Sequence, residues 1–453
     1  MDTRVLSSEQ DSKDLVCRLL GDLFDTAGTS TIGVRLWDGS RWPDESKKAS
    51  TLVLNHPGAL RTMFFRGNEL SLAEAYLYGD FDVEGNLETL INVAEDLASA
   101  SSGWWTKLRT GRNLLRLPTD NEHPWLKTHG GTLRRAPAKL SGQRHSVERD
   151  RRAVAFHYNV SNDFFALWLD ECMVYSCAYF ITPEEDLDTA QKNKLDYICR
   201  KLRLQPEQRL LDIGCGWGGL VIYAAQHHHV ECTGITLSEP QAEFANARIR
   251  AAGLENRCRV LVSDYRQVGQ SATYDALVSI GMFEHVGEAL LPAYFQHAHD
   301  LLKPGGVFLN HGIARRATGN TESGPSFSDI YVFPDGELTP INTTLRVAEN
   351  AGFEVRDVES LREHYAMTLR HWVRRLEASY DTALRYVEDP AYRVWRLFMS
   401  GSAAGFSRNR LNIYQVLLVK PDGHGSSGLP LTRADWYEQQ EQNAHVDVQG
   451  GRR

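Results

Sequence analysis

The sequence predicts an α/β protein built on a doubly wound, mostly parallel sheet, with a smaller α+β domain at its N-terminal side. Two observations lead to this fold class. From residue 210 onward, short apolar strands alternate with helical stretches, and the first strand leads through a glycine-rich turn into a helix. Regular alternation of this kind favours an open parallel sheet with helices on both faces. The 453 residues exceed one typical core, so more than one domain is expected.

The individual elements follow from the apolar runs. Strands are predicted at residues 210–213, 231–236, 259–262, 275–280 and 307–309. Helical periodicity covers residues 219–229, 239–252 and 288–302 between and around these strands. Nearer the N-terminus, short alternating stretches at 32–37 and 51–54 precede helical periodicity over 70–97. These stretches give the small α+β domain.

Composition divides the chain into four segments. Residues 1–100 form the small domain, 101–150 a basic linker containing tryptophan, 151–420 the α/β domain, and 421–453 a Gly-, Ser- and Gln-rich tail that we expect to be disordered. Between Trp104 and Arg152, 12 Lys and Arg face only four Asp and Glu. Basic residues are attracted to anionic lipid and tryptophan prefers the headgroup level, so this segment is a candidate membrane-surface contact. A solvated linker explains the same composition equally well.

Charge and cysteine content exclude several classes of protein. The net charge of −8 gives no reason to expect nucleic-acid binding. The seven cysteines form no CxxC pair and no zinc spacing, so neither a disulfide framework nor a metal site is predicted. The first 20 residues carry four acidic side chains and do not resemble a signal peptide. No window approaches 18 consecutive apolar residues, so we expect a cytoplasmic protein whose lipid contacts are peripheral.

The loop DIGCGWGG, which begins at Asp212, follows the first strand and opens a helix. Its glycines let the backbone turn sharply and approach a ligand closely. Gly214, Gly216 and Gly219 also satisfy the dinucleotide fingerprint, which expects an acid about 20 residues on, at the end of the second strand. Here Glu239 comes only after that strand, whereas Asp212 ends the first strand. The arrangement Asp-x-Gly-x-Gly therefore favours an S-adenosylmethionine methyltransferase over a nucleotide-binding protein.

Polar side chains also occur near the ends of later strands. Glu284 follows the fourth strand and His311 lies in the fifth, and open α/β sheets bind ligands beyond the carboxyl ends of their strands. Each residue has a plainer interpretation: Glu284 as a helix N-terminal acid, His311 as a core histidine, and Cys177 as a small buried hydrophobe. Their expected convergence in one cleft favours a catalytic site.

With these motifs in place, the chain resembles the cyclopropane-fatty-acyl-phospholipid synthases and the mycolic acid cyclopropane synthases. The matching stretches run in order over roughly residues 150–420, and YSCAYF with GMFEHVG is highly specific. They are HYNVSNDFFALWLD (157–170), MVYSCAYF (173–180), LLDIGCGWGGL (210–220), VSIGMFEHVG (278–287), YVFPDG (331–336), HYAMTL (364–369) and NIYQVLLVK (412–420). The segment LSLAEAYLYGDFD (70–82) also looks like the N-terminal domain of that family.

The resemblance implies a fold of the class I S-adenosylmethionine methyltransferase type and two groups of site residues. The group aligned with those that hold a bicarbonate ion comprises Cys177, Glu284, His311, Ile313 and Tyr365. The group aligned with the S-adenosylmethionine contacts comprises Tyr175, Ser176, Asp212, Gly214, Cys215, Gly216, Gly218, Thr236, Leu237, Gln241, Tyr265 and Ile280.

This sequence departs from the family pattern at three positions. Gly312 stands where the family commonly has threonine, and we expect it to widen the site slightly, which leaves the product open. Ser161 stands where glycine is frequent, and Ser402 where some members have a cysteine. The absence of that cysteine argues against a cysteine nucleophile and is compatible with direct transfer.

The implied reaction moves a methylene carbon from S-adenosylmethionine to the cis double bond of an unsaturated acyl chain in a phospholipid, giving a cyclopropane fatty acid. Attack by the alkene leaves a cation on the chain, which aromatic side chains can shelter. Bound bicarbonate, or Glu284 itself, then removes a proton from the added carbon. The aromatic residues expected around the substrate are Phe164, Phe165, Tyr179, Phe180, Phe283 and Tyr365.

Three alternatives stay open at this point. The same cation gives a methyl- or methylene-branched chain if the proton leaves from elsewhere. A methyltransferase for a small polar molecule, or a lipid-binding protein without activity, would retain the same cofactor loop. For the favoured reaction the expected partner is the phospholipid bilayer surface at the inner face of the membrane, and a homodimer is compatible with such a role.

Overall fold

The computed structural model describes residues 8–24, 32–43, 48, 50–99, 104–119, 140–158, 160–269, 271–318 and 326–437. The chain divides into two compact units, each made of three segments. The first comprises Met1–Lys139, Glu322–Pro334 and Tyr380–Ala404, and the second comprises Leu140–Thr321, Asp335–Ser379 and Gly405–Arg453. This division differs from the contiguous boundaries expected from composition, because two segments from the predicted α/β domain belong to the first unit.

The first unit contains, among its described residues, a four-stranded sheet in the order β2-β1-β3-β4. Strands β1 and β3 are parallel, whereas β2 and β4 pair antiparallel with their neighbours. The strands are β1 (Ile32–Arg35), β2 (Arg41–Trp42), β3 (Ser50–Leu54) and β4 (Phe81–Gly85). The helices are α1 (Glu9–Phe24), α2 (Ala59–Phe64), α3 (Glu69–Leu77), α4 (Leu87–Ser99), α5 (Trp104–Arg116), α12 (Phe327–Tyr331), α15 (Tyr380–Ala383) and most of α16 (Asp389–Ser407).

The continuous helical periodicity predicted over 70–97 is wrong in its middle. Helix α3 ends at Leu77, and the chain then forms β4 before α4 begins. Gly79 has a φ of +81°, a conformation that ends a helix at little cost. The residues that follow alternate, with Phe81 and Val83 buried against Leu54 and Leu52 of β3. Pairing with a neighbouring strand therefore overrode the local helical pattern.

Two later segments join the first unit because their side chains complete its core. Tyr331 on α12 is buried in this core, and its hydroxyl donates to Glu74 Oε1 at 2.9 Å. Arg396 on α16 donates to the hydroxyl of Tyr76 at 2.9 Å. Arg393, one helical turn earlier, forms an ion pair with Asp82 at 2.8 Å. Local composition does not predict such contacts between segments that are distant in the chain.

The expected linker at 101–150 is also more ordered than its composition suggests. Residues Trp104–Arg116 form helix α5, and Leu114 and Leu117 are buried in the core of the first unit. The side chains of Trp104 and Trp105, and the whole of residues 120–139, lie outside the described part of the chain. The membrane-contact interpretation of this segment therefore stays a prediction.

The second unit contains, in its described residues, a seven-stranded sheet in the order β10-β11-β9-β8-β5-β6-β7. The pairs among β5 to β9 are parallel, and β10 and β11 are added antiparallel beyond β9. The strands are β5 (Arg209–Ile213), β6 (Glu231–Thr236), β7 (Cys258–Val262), β8 (Tyr274–Ile280), β9 (Leu302–Arg315), β10 (Glu354–Ser360) and β11 (Leu411–Val419). The predicted doubly wound fold is confirmed, although β10 and β11 were not anticipated and β9 is longer than predicted.

The helices of the second unit precede and separate these strands. They are α6 (Val147–Tyr158), α7 (Asn162–Ala166), α8 (Leu187–Lys201), α9 (Gly219–His227), α10 (Glu239–Ala251), α11 (Leu291–Leu301), α13 (Ile341–Asn350) and α14 (Arg362–Ala378). Among the helices of the described ranges, none combines the length and the apolar character that crossing a bilayer would require.

The tail predicted to be disordered is partly folded. Residues 421–437 are described, and Ala434–Trp436 forms a short 3₁₀ helix in which Trp436 is only 3% exposed. The Trp436 ring lies 5.2 Å from Lys201 Nζ, and Asp435 pairs with Arg203 at 2.6 Å. A single buried tryptophan thus fixes a segment whose overall composition is polar. Residues 438–453 lie outside the described part of the chain.

Candidate active site

The loop between β5 and α9 forms one wall of a cavity. Gly214 and Gly216 have φ values of +88° and +54°, which side chains other than glycine rarely allow. The backbone N–H groups of Gly214 and Cys215 both donate to Ile235 O at 2.9 Å, so the turn is fixed against β6. A Cβ built on Gly216 would meet no atom within 4 Å, whereas one on Gly214 would lie 2.7 Å from Met282 Cβ. The loop thus leaves open space beside its backbone, as a bound ligand requires.

The structure brings eleven of the twelve predicted cofactor residues to the wall of this cavity. They are Tyr175, Ser176, Asp212, Gly214, Cys215, Gly216, Thr236, Leu237, Gln241, Tyr265 and Ile280. Gly218 is the exception: its Cα faces α10, where an added Cβ would lie 3.0 Å from Ala245 Cβ. Gly218 therefore allows close packing of two helices and is not among the described residues that line the cavity.

Several lining residues were not identified from the sequence. They include Asp150, Met173, Lys194, Asp264, Arg266, Met282 and His285. Asp264 and Arg266 directly follow the carboxyl end of β7, a position that could have identified them. Lys194 lies in the middle of a helix and Asp150 near the start of one, so no local pattern marks them as site residues.

Two buried charged residues, Asp212 and Lys194, line the cavity. Asp212 is 3% exposed, and no donor among the described residues reaches its Oδ1 atom. Burial raises the pKa of Asp212 to about 7. Lys194 is fully buried, and its Nζ donates to Ser176 Oγ at 2.9 Å. Burial lowers the pKa of Lys194 to about 8, so both charges are sensitive to what occupies the cavity.

Ion pairs fix another group of lining residues. Arg266 donates to Asp264 Oδ2 at 2.7 Å and to Asp150 Oδ2 at 2.9 Å, which joins the turn after β7 to helix α6. Burial, together with the charge of His145, lowers the pKa of His285 to about 4. The His285 imidazole is therefore neutral at physiological pH.

The predicted acid, Glu284, follows β8, and the predicted imidazole, His311, lies in the neighbouring strand β9. Glu284 follows β8 in the short 3₁₀ turn Phe283–His285, and its Oε1 accepts a hydrogen bond from the backbone N–H of Ile313 at 2.6 Å. His311, two residues earlier in β9, pairs in register with Ile280 of β8. Among the described residues, neither Glu284 Oε2 nor either ring nitrogen of His311 has a hydrogen-bond partner. The site therefore presents several buried polar atoms that lack a protein partner.

Burial sets the protonation of this pair. It raises the pKa of Glu284 to about 7. Burial, with the nearby charges of Lys194 and Lys201, lowers the pKa of His311 well below its usual range. A carboxyl group that titrates near neutrality can accept a proton at physiological pH.

Cys177 and Tyr365 lie beside one backbone segment. The thiol of Cys177 contacts Leu361 O at 3.7 Å, and the Tyr365 backbone N–H donates to the same carbonyl at 3.0 Å. Leu361 in turn donates to Ile413, which pairs with Ile313 across β11 and β9. Burial raises the pKa of the Cys177 thiol, so this sulfur stays protonated and does not act as a thiolate nucleophile.

None of the five predicted catalytic residues is part of the described cavity lining, and three of them lie next to lining residues in the chain or across the sheet. Cys177 directly follows Ser176, and His311 pairs with Ile280; both Ser176 and Ile280 are lining residues. Glu284 follows Met282, which also lines the cavity. In the second unit, Glu284 and His311 thus lie close in the chain or across the sheet to residues that were predicted to contact the cofactor or that line the cavity.

One expectation about the substrate side needs correction, and a second stays a prediction. A Cβ added to Gly312 would lie 2.7 Å from Phe283 Cδ1, so the Phe283 ring already fills the space that glycine was expected to open. The six aromatic residues expected around the substrate differ in their ring contacts. Phe165 and Tyr365 belong to one group of packed rings: Phe165 contacts Tyr175 at 5.8 Å and Tyr365 contacts Trp372 at 6.0 Å between ring centroids, and Tyr175 contacts Trp372 at 5.2 Å. Phe283 instead packs on Tyr294 and Phe295. That these aromatic residues line a substrate site stays a prediction.

Fold and loop together define a class I S-adenosylmethionine-dependent methyltransferase. A family model described as mycolic acid cyclopropane synthetase matches residues 145–416, and the chain belongs to this family. Residues 19–102 match a second model, described as a domain of unknown function. The family resemblance inferred from the sequence motifs is therefore confirmed.

Individual relatives extend this comparison. The chain is 37% identical to a probable fatty acid methyltransferase of Pseudomonas putida, over 89% of this chain and 95% of that protein. It is 33% identical to the cyclopropane-fatty-acyl-phospholipid synthase of Escherichia coli K12, over 71% and 82% of the two chains. The solved cyclopropane synthase MmaA2 of Mycobacterium tuberculosis covers 59% of this chain and 97% of its own, with 32% identity and a TM-score of 0.56.

Proposed function

We propose that this protein transfers a methylene carbon from S-adenosylmethionine to the cis double bond of an unsaturated acyl chain in a phospholipid, forming a cyclopropane fatty acid. One observation carries the proposal. Glu284 is a buried carboxylate, held through one oxygen by Ile313 N–H, with its other oxygen unpartnered among the described residues. Ring closure needs a base of this kind beside the cofactor, whereas a simple transfer to an amine or a hydroxyl group can use a weaker one.

The chemistry begins with positioning. Bound S-adenosylmethionine supplies a methyl group activated by a sulfonium. The electron pair of the alkene forms the new carbon–carbon bond as the methyl–sulfur bond breaks, leaving S-adenosylhomocysteine and a cation on the acyl chain. The protein's part is to hold the weakly nucleophilic alkene in line with that methyl group, and alignment of this kind accounts for about 7–11 kcal/mol of a barrier.

Proton removal completes the ring. A base takes a proton from the added methyl group, and the electron pair of that C–H bond closes the cyclopropane. Glu284, whose pKa burial raises to about 7, is ionised in half or more of the molecules at pH 7 and above. The neutral imidazole of His311 lies two residues from the N–H that holds this carboxylate. The net transfer is one CH₂, with one proton passed to the base.

The unpartnered atoms of Glu284 and His311 support a bound bicarbonate as part of this proposal. Its hydroxyl group could donate to Glu284 Oε2, and an N–H of His311 could donate to one of its oxygens. Cys177 and Tyr365 are the further residues that the family resemblance assigns to this anion. In that case the bicarbonate is the immediate base, and Glu284 holds it in place.

A second candidate product is a methyl- or methylene-branched acyl chain. The similarity to a probable fatty acid methyltransferase along 95% of that protein favours it. The same cation leads there if a neighbouring hydride moves to the cationic carbon before the proton is lost. The acyl substrate and the cofactor are identical in both cases, so the two products report only on the fate of the cation.

We further propose peripheral binding to the inner face of the cytoplasmic membrane, because a phospholipid substrate must be taken from a bilayer. The basic segment between Trp104 and Arg152 is the candidate contact, since its cations would be attracted to anionic lipid. Pairing of two chains would strengthen such a contact by avidity.

Lipid analysis of a bacterial host lacking cyclopropane lipids tests the proposal. Expression of the chain should add 14 mass units to monounsaturated acyl chains in extracted phospholipid. Mild hydrogenation then separates the products: a cyclopropane is unchanged, whereas a methylene-branched chain takes up hydrogen. If the lipids are unaltered but the purified protein binds S-adenosylhomocysteine, the result would point to a small-molecule methyltransferase. Unaltered lipids without such binding would point to an inactive lipid-binding protein.

A further inference from the structure

Lys194 is a buried cation that the proposed mechanism does not use. It lies on α8, is fully buried, and is one of the residues that line the cavity. Its Nζ atom donates to Ser176 Oγ at 2.9 Å. An ammonium group carries three donors, and one hydroxyl satisfies only one of them.

Burial of an ammonium group is costly unless it is paired with an anion. Among the described residues, no carboxylate lies within ion-pair distance of Lys194. Asp170 is nearby, but its two oxygens accept from the backbone N–H groups of Cys172 at 2.8 Å and Val174 at 2.9 Å. The positive charge of Lys194 therefore faces the cavity without a direct counterion.

The opposite charge lies on the same cavity wall. Asp212 is the penultimate residue of β5, just before the glycine loop, and no donor in the described part of the chain reaches its Oδ1 atom. Asp212 and Lys194 act on each other electrostatically although they form no ion pair. A cavity wall with one buried cation and one buried anion, set apart from each other, matches the two charges of an α-amino acid.

The other cation of the cavity is already engaged. Arg266 donates to Asp264, to Asp150 and to the carbonyl oxygen of His145. It also lies next to Tyr265, at the turn after β7, whereas Lys194 contacts Ser176. Lys194 is therefore the better placed cation for an anionic group near the glycine loop.

We propose that Lys194 binds the α-carboxylate of the methionine part of S-adenosylmethionine, with Ser176 as its partner and Asp212 as the group that receives the α-ammonium. This assignment rests on the proposed use of S-adenosylmethionine by this site. In this arrangement, two residues of opposite charge bind the two charges of the methionine part. Tight binding of the cofactor then requires its carboxylate. Lys194 is then a cofactor-binding residue, not a base in the transfer.

The protonation of Lys194 follows from this arrangement. In the cavity without cofactor, burial lowers the pKa of Lys194 to about 8. A bound carboxylate stabilises the charged form and raises that pKa. Binding of S-adenosylhomocysteine near or above pH 8 should therefore be accompanied by uptake of a proton. The affinity of the protein for this ligand should fall as the pH rises from 7 to 9.

Calorimetric titration with two probes tests the proposal. S-adenosylhomocysteine carries the amino-acid group, and 5′-methylthioadenosine lacks it. The substitution Lys194→Met should weaken S-adenosylhomocysteine binding about 10- to 100-fold, as expected for loss of a charge-assisted hydrogen bond. It should change the affinity for 5′-methylthioadenosine less than about threefold. Lys192→Met, on the same helix but exposed and paired with Glu171, should leave both affinities unchanged.

The outcomes separate three cases. Equal losses for both probes, or unchanged binding of S-adenosylhomocysteine, would overturn the role of Lys194. Failure of the wild-type protein to bind either probe would instead refute the proposed function. If Lys194→Met does not fold, proton uptake by the wild-type protein decides: at pH 8, titrations in buffers of different ionisation enthalpy should show uptake with S-adenosylhomocysteine and none with 5′-methylthioadenosine. No uptake with either probe would reject the assignment.

Discussion

The backbone N–H of Ile313 donates a hydrogen bond of 2.6 Å to Glu284 Oε1. This contact joins the turn after β8 to the middle of the sheet, where β9 continues beside β11. It fixes the carboxylate in one orientation and leaves Oε2 without a described partner. The geometry of the candidate base therefore depends on a main-chain group, which side-chain substitutions in β9 do not remove.

Replacement of Glu284 by Gln should lower kcat for carbon transfer about 100- to 10,000-fold, the usual range for loss of a general base. The amide is similar in size and can still accept from Ile313 N–H, so the fold and the affinity for S-adenosylhomocysteine should persist. Release of S-adenosylhomocysteine in the presence of lipid vesicles measures the rate. Glu288→Gln is the matched control, because Glu288 is exposed one turn further on. A Glu284→Gln enzyme with normal kcat would remove this residue from the mechanism.

The rate should depend on pH through Glu284. Because burial raises its pKa to about 7, the protonated, inactive form prevails below that value and the ionised form above it. We expect kcat/KM for the lipid, which reports groups in the enzyme before the lipid binds, to rise with pH through a midpoint near 7 and to level off above it. His311 should add no second inflection between pH 5 and 9, since its pKa lies well below the usual range. A kcat/KM that is flat from pH 5.5 to 8.5 would contradict the assigned role of the carboxyl group.

Gly312 should not tolerate a side chain. The added Cβ of Gly312→Ala would lie 2.7 Å from Phe283 Cδ1, and Phe283 precedes Glu284. Displacement of the ring should cost about 1–3 kcal/mol in the free energy of unfolding and lower kcat by up to about 100-fold through movement of the carboxylate. Urea unfolding and initial rates measure the two effects.

Two further variants make the test of Gly312 specific. Adding Phe283→Leu to Gly312→Ala should restore part of the lost stability, because the smaller side chain vacates the contested space. Gly401→Ala, in helix α16 where a Cβ would meet no atom within 4 Å, should instead stabilise by about 0.5–1 kcal/mol. Equal losses for the two glycine variants would show that the Phe283 contact is not the cause.

Trp436 should contribute to stability although it lies in a polar C-terminal segment. Its ring is 3% exposed and packs near Tyr197 and Lys201. Trp436→Ala should lower the free energy of unfolding by about 3–5 kcal/mol. Leu431→Ala, at a fully exposed position in the same segment, should change it by less than about 0.5 kcal/mol. Chemical denaturation of both variants checks the difference, and similar values for the two would mean that the segment is not held by this tryptophan.

The sequence alone was enough to predict the parallel part of the second sheet. Each βα repeat there has a local pattern of an apolar run, a turn and a stretch with helical periodicity. The glycine loop was recognisable for the same reason: Gly214 and Gly216 need backbone conformations that few other residues adopt. Eleven of the twelve residues expected to contact the cofactor lie around one cavity. Except for Tyr175 and Ser176, their positions follow from the rule that parallel strands present their carboxyl ends at one edge.

Tertiary structure decided what local patterns do not encode. Pairing with β3 turned residues 81–85 into a strand within a helical pattern, and buried side chains on α12 and α16 assigned two distant segments to the first unit. Phe283 occupies the space expected beside Gly312, and Lys194, on an ordinary helix, reaches the cofactor cavity. Each of these outcomes depends on residues far apart in the chain, since burial and electrostatic environment arise only when those residues meet.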